Sequence, residues 1–233
     1  MRFGIIGAMQ EEVELLREHM ENVEVDKFGK FRCVTGTLAG KDVVVSFCGM
    51  GKVAAASMAQ MFINRYNVTH LIFTGVAGSL DASIDIGDLV ISKDCVQHDL
   101  DATGLGWQPG QLPDYNPPII AIEADEQLCS LAQIAGRKAA PDVGIHVGRI
   151  ATGDQFVESQ EVKTAIVNQF GALCCEMEGA AVAQVAWLND VAFVVVRAIS
   201  DKADGSGEAD FRTFLPASAR RCASLVEEML KLM

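Results

Sequence analysis

The chain has 233 residues, 50% hydrophobic and 21% charged, with a formal net charge of −12. That length suits one large domain or two small ones, and a single domain of this size closes a full core without disulfide or metal support. The acidic balance, with no run of Lys or Arg, argues against nucleic acid and anionic lipid as partners. No stretch of about 18 apolar residues offers a membrane span. The opening MRFGIIGAMQEEVELL has too short an apolar run for a signal peptide, so a cytoplasmic protein is expected. Seven cysteines at wide spacing, without a CxxC pair, predict buried reduced thiols rather than a disulfide framework or a zinc site.

In chain order, Arg2–Gly7 is predicted as a strand and Glu11–Glu21 as a helix. Strands at Arg32–Thr37 and Asp42–Cys48 follow, with a hairpin around Gly40 and Lys41. A helix over Lys52–Tyr66 precedes strands at His70–Thr74 and Asp88–Ser92. Asp99–Pro118 is a long Gly- and Pro-rich loop, of the kind that serves function or a partner. A helix at Asp125–Lys138, a strand at Gly144–Ala151 and a helix at Gln160–Phe170 come next. The last elements are a strand at Leu173–Glu176, a helix at Gly179–Leu188, a strand at Ala192–Ile199 and a helix at Phe214–Leu232. That final helix carries Leu215, Cys222, Leu225, Val226, Met229 and Met233 on one stripe. Runs such as HLIFTG and AFVVVRAIS are apolar on both faces, as strands covered on each side are. The fold class expected is α/β, one domain over 1–233, with a mixed, mostly parallel central sheet flanked by helices on both faces.

Ligands of open α/β sheets bind beyond the carboxyl ends of the strands. GAMQEE, TGVAGS, TGDQF, MEGAA and Ser200-Asp201 all follow predicted strands, which converges several acids, a glycine-rich loop and Phe156 on one rim. Each feature has an ordinary alternative. Glu11 and Glu12 suit a helix N-terminus, Ser200-Asp201 suits a turn or cap, and TGVAGS lacks the spacing of a phosphate loop. The four histidines lack metal-ligand spacing, and neither a metal nor a cofactor is implied.

GIIGAMQEEVELL, GMGKVAAA, FTGVAGSLD, HDLDATGLGWQPGQLP, TGDQF, CCEMEGAAVAQVA and FVVVRAISDKAD occur in that order. Together they resemble the bacterial methylthioadenosine/S-adenosylhomocysteine nucleosidases of the purine nucleoside phosphorylase-like superfamily, nearly end to end. The resemblance implies cleavage of an N-glycosidic bond in an adenine thionucleoside, with 5′-deoxyadenosine or 6-amino-6-deoxyfutalosine as further substrates. By that resemblance Asp201 is the general acid toward N7 of adenine, oriented by Ser200. Glu12 holds and deprotonates the attacking water, and Arg197 helps to organise that region. Glu178 accepts from the ribose hydroxyls, Met177 lies against the ribose, and Glu176 is the neighbouring acid. Phe156 stacks on adenine and the Val157 backbone meets the purine edge. Ala8, Met9, Met50 and Phe211 line the sugar and 5′-substituent, and Val76, Ala77 and Gly78 complete the substrate site.

The same resemblance implies a homodimer in which the long loop, through Ala102, Leu105, Trp107 and Pro113, covers the partner's 5′-substituent pocket. Val76 stands where a Ser is common in best-known members, while Leu105 and Trp107 stand for a Phe and a Tyr. Two rival readings share the scaffold: a phosphate-dependent nucleoside phosphorylase and a non-catalytic nucleoside-binding protein. The acid at Glu12 favours hydrolysis over the first, and Glu12, Glu178 and Asp201 together favour an enzyme over the second.

Overall fold

The computed structural model describes residues 1–203 and 207–233, with side chains outside 204–209. Strand β1 (Arg2–Gly7) leads through a 3₁₀ turn (Gln10–Glu12) to a short helix α1 (Glu14–Glu18). Strands β2 (Glu21–Phe28), β3 (Phe31–Leu38) and β4 (Lys41–Phe47) follow, then helix α2 (Lys52–Tyr66) and strand β5 (His70–Ser79). Strands β6 (Leu89–Gln97) and β7 (Ala121–Glu123), helix α3 (Glu126–Ala139), strand β8 (Ile145–Thr152) and helix α4 (Gln160–Phe170) come next. Strand β9 (Cys174–Glu176), helix α5 (Gly179–Leu188), strand β10 (Ala192–Asp201) and helix α6 (Gly207–Leu232) complete the order.

All these strands join one mixed sheet whose long ladders, β5 with β10 and β6 with β8, are parallel. The successive pairings β5–β10–β6–β8–β9–β5 close a ring, so this part of the sheet presents few unpaired edges. From β5 the sheet continues outward through β1, β4, β3 and β2. Side chains alternate across it as a period of two requires. Phe3 and Ile5, Val43 and Val45, Ile72, Val194 and Val196 pack on one side with Leu128, Ala132, Leu225 and Met229 of α3 and α6. Ile6, Val44, Leu71, Phe73, Phe193 and Val195 face the other side and meet Met58, Phe62, Val182 and Ala186 of α2 and α5. At about 1.5–3 kcal/mol for each large side chain fully buried, these two cores supply the main driving force of the fold.

The hairpin between β3 and β4 has a two-residue turn in which Ala39 (φ 50°) and Gly40 (φ 76°) are both left-handed, the geometry that twisted strands favour. All seven cysteines are free and buried. The predicted helix over Glu11–Glu21 is instead a 3₁₀ turn and five residues of α-helix, since the chain enters β2 at Glu21. Strand β2 was not foreseen because it lies at the sheet edge, mostly exposed and rich in charge. Helix α6 begins at Gly207 rather than Phe214 and carries Pro216 within it. Cys222, Leu225, Val226 and Met229 of its expected stripe are fully buried. No helix among the described residues is long and apolar enough to cross a membrane.

Candidate active site

A cavity of about 440 Å³ lies where β1, β5, β9 and β10 end at their carboxyl termini. Of the residues assigned to catalysis or to the nucleoside, only Arg197 stays outside its lining. Gln155, Cys175 and Arg212 border it as well, and the sequence reading did not assign them. Gln155 and Cys175 sit inside quoted motifs beside assigned residues, so adjacency could have found them. Arg212 depends on the early start of α6.

Glu12 is 1% exposed, on the 3₁₀ turn after β1. Its Oε2 accepts from the main-chain N–H of Ala8 at 2.6 Å and Met9 at 2.9 Å, and its Oε1 accepts from Val76 at 3.0 Å. Burial pushes its carboxyl above the ordinary range, against the pull of the Arg197 charge and these hydrogen bonds.

Two glycines of β5 make room for the site's acids. A Cβ on Gly75 would collide with the guanidinium of Arg197 and the carboxylate of Glu12, and one on Gly78 would lie 2.7 Å from Asp201 Oδ1. TGVAGS therefore belongs to a strand, not a loop, and its glycines admit side chains rather than a phosphate.

Strand β10 runs through Asp201, with an irregular register between Ile199 and Asp201. Such a bulge re-aims successive side chains, and Ser200 and Asp201 both reach the cavity. Ser200 Oγ donates to Asp201 Oδ2 at 2.9 Å, and the Ala203 N–H donates to Oδ1 at 3.0 Å.

Beneath the floor, Arg197 is fully buried and donates to Glu176, with Glu178 Oε2 at 3.8 Å and the Phe73 ring 4.4 Å from its guanidinium carbon. It lies outside the cavity lining, as a buried counter-charge shared by Glu176, Glu12 and Glu178. Glu176 borders the cavity, yet its oxygens are taken by Thr152 Oγ1, Arg197 and the N–H groups of Glu178 and Gly179. That arrangement suits a positioning residue better than a ligand contact. Glu178 accepts from the Gly51 N–H at 2.7 Å, at the N-terminus of α2. Burial, with Glu176 beside it, pushes its carboxyl up to about 8.

Lys52 joins the surrounding loops, donating from Nζ to Asp99 Oδ1 at 2.7 Å and from its main-chain N–H to Asp154 Oδ1 at 2.8 Å. Phe156 and Phe211 meet edge to face at 5.8 Å over the mouth, where Met50 is 68% exposed. Val157 buries its side chain away from the solvent. Ala102, Leu105, Trp107 and Pro113 do not border this cavity, and Leu105 is 81% exposed.

The sequence profile of the phosphorylase superfamily matches residues 2–231. The 5′-methylthioadenosine/S-adenosylhomocysteine nucleosidase of Staphylococcus haemolyticus is 36% identical over 231 residues, 99% of each chain. The enzyme of that name from Neisseria meningitidis, in complex with methylthio-immucillin-A, matches with a TM-score of 0.95 at 37% identity, covering 100% of this chain and 99% of that one. Futalosine hydrolase of Helicobacter pylori matches with a TM-score of 0.94 at 34% identity, covering 100% and 98%. The chain belongs to the 5′-methylthioadenosine/S-adenosylhomocysteine nucleosidase family, within the phosphorylase superfamily.

Proposed function

We propose that this protein hydrolyses the N-glycosidic bond of 5′-methylthioadenosine and S-adenosylhomocysteine, releasing adenine and the thioribose. The observation that carries the reading is Glu12, a buried carboxylate in the cavity wall held by three main-chain N–H groups. Both lone pairs of Oε2 are engaged, whereas Oε1 accepts a single bond and keeps one lone pair for a water. Its raised carboxyl makes Glu12 a stronger base toward that water once ionised.

Glu12 and Asp201 approach β5 at Gly75 and Gly78, three residues and thus roughly 10 Å of strand apart. That spacing accommodates a ribosyl group with water on one side and the leaving base on the other. In this mechanism Asp201 delivers a proton to N7 as the bond to the base breaks. The Ser200 hydroxyl, which both donates and accepts, follows either protonation state of Asp201. Glu178 accepts from the ribose hydroxyls, and its negative charge, once ionised, favours the cationic sugar of the transition state. Met177 lies against that sugar, Phe156 stacks on adenine, and the Val157 backbone meets the purine edge.

Acids supply most of the charge around this cavity, and Arg197 is spent on them, so a phosphate nucleophile would meet carboxylates. This favours water over phosphate. A second copy of the chain is proposed to complete the site: Met50 is left open at the mouth, and Leu105 is an exposed apolar group seeking cover. Ala102, Trp107 and Pro113 of the partner's loop would join it there. A cytoplasmic setting suits seven free thiols, and the likeness to futalosine hydrolase keeps bulkier 5′-substituents among the candidates.

The test is adenine release from methylthioadenosine in phosphate-free buffer, with the sugar product identified. Free methylthioribose is expected. Release only on phosphate addition, with a sugar 1-phosphate as product, would instead make the protein a phosphorylase. Glu12→Gln should abolish hydrolysis while the nucleoside still binds. Sedimentation equilibrium should give twice the chain mass, and a monomer of full activity would remove the partner loop from the site.

A further inference from the structure

Among the described residues, Arg212 is the one cation bordering a cavity whose other charged groups are Glu12, Glu176, Glu178 and Asp201. The four acids form its floor and are at most 8% exposed. Arg212 is exposed and follows Phe211, so it stands at the mouth, where Phe211 meets Phe156 and Met50 opens to solvent. A nucleoside held with its base at Asp201 and its ribose at Glu178 turns its 5′-substituent toward Met50 and Phe211, and therefore toward this guanidinium.

We propose that Arg212 makes the site prefer a 5′-substituent ending in a carboxylate over an uncharged one of the same length. The proposal rests on the nucleosidase reading for the orientation of the ligand. A guanidinium offers five N–H donors in a planar fork that matches a carboxylate, so it can keep a bond within the chain and still receive the tail. Phe211 and Met50 accommodate the thioether and methylene part, and the charge recognises the end. Because the mouth is wet, the pair is screened and its contribution is modest, about two- to fivefold in affinity at low salt.

The experiment compares 5′-deoxy-5′-(2-carboxyethylthio)adenosine with 5′-deoxy-5′-(propylthio)adenosine, which differ in the terminal charge. The quantity read is the ratio of their kcat/KM values, and a loss of folded enzyme cancels from it. Wild type should favour the carboxylate about two- to fivefold, and the preference should shrink between low and high salt. Arg212→Gln should bring the ratio near one, Arg212→Lys should retain part of it, and Arg212→Glu should reverse it. An unchanged ratio in Arg212→Gln overturns the proposal.

Dissociation constants for the two compounds, measured in an Asp201→Asn background with and without Arg212→Gln, give the same comparison without turnover. If neither compound is hydrolysed but the binding preference follows Arg212, the nucleosidase reading fails and the assignment of Arg212 stands. If both are hydrolysed and the binding preference ignores Arg212, the assignment fails alone.

Discussion

Arg197 donates to the Glu176 carboxylate and stands 3.8 Å from Glu178, so one buried cation serves both of these buried acids. Glu176 takes the direct bond and Glu178 the weaker attraction. The Glu178 carboxyl is pushed up to about 8, by burial first and by Glu176 second.

This sets a pH dependence of stability. A carboxyl whose pKa is raised by folding holds its proton in the folded chain while the unfolded chain has lost it, so rising pH favours unfolding. The contribution is full below about 4.5, the unfolded value, and is lost as pH climbs to about 8. Glu12, raised in the same direction, adds to the slope. Thermal melts should therefore fall across that window, with about 2–4 °C for each kcal/mol lost in a chain of this size. Glu178→Gln should flatten the decline. An identical slope in that variant would mean that Glu178 is ionised throughout the window.

Glu176 and Glu178 are adjacent acids whose substitution should read out differently. Glu176→Gln leaves Arg197 buried with its main counter-charge gone, a loss of roughly 3–5 kcal/mol in urea unfolding. Glu178→Gln should cost less stability and more kcat/KM, because the ribose loses a carboxylate acceptor and its negative charge for an amide. Equal stability losses in the two variants would put Glu178 in the same supporting role as Glu176.

Much of this arrangement was legible in the sequence, and the shortfalls have specific causes. The continuous apolar runs HLIFTG and AFVVVRAIS mark strands buried on two sides, and β5 and β10 lie beside each other in the sheet. The ends of those strands were missed, because Gly75 and Gly78 look like a loop and Ser200-Asp201 looks like a cap. Their strand conformation follows from contacts with Glu12, Arg197 and Asp201 that lie far away in sequence. Glu12, Glu178 and Asp201 were found through motifs. The burial of Arg197 was not, since a charge inside a core is set by the acids that surround it rather than by its neighbours in the chain. Arg212 escaped because the helical period is read only from Phe214 onward, later than the start α6 adopts.

Asp201→Asn should fold normally and lose at least about 100-fold in adenine release, the usual scale for a general acid. The role also predicts dependence on the leaving group. A 4-nitrophenyl 5-thioriboside releases nitrophenolate, which needs no proton on departure, so its hydrolysis should fall far less in the variant. Equal losses with both substrates would mean that Asp201 binds rather than protonates.

Gly75→Ala and Gly78→Ala should separate the two halves of the reaction through the strand between them. Neither glycine has a left-handed φ, so the alanine backbone is permitted and the cost is steric. At Gly75 the methyl group meets Arg197 and Glu12; at Gly78 it meets Asp201 Oδ1 and the Ala203 side chain. Overpacking of this kind costs about 1–3 kcal/mol, which leaves most of the chain folded at 25 °C. The activity losses should be larger and of different kinds. Gly78→Ala, which displaces the acid, should be rescued by the nitrophenyl substrate as Asp201→Asn is. Gly75→Ala, which displaces the water-activating carboxylate, should be equally impaired with either leaving group. If the nitrophenyl substrate rescues Gly75→Ala instead, Glu12 assists departure of the base and the division of labour between the two acids is reversed.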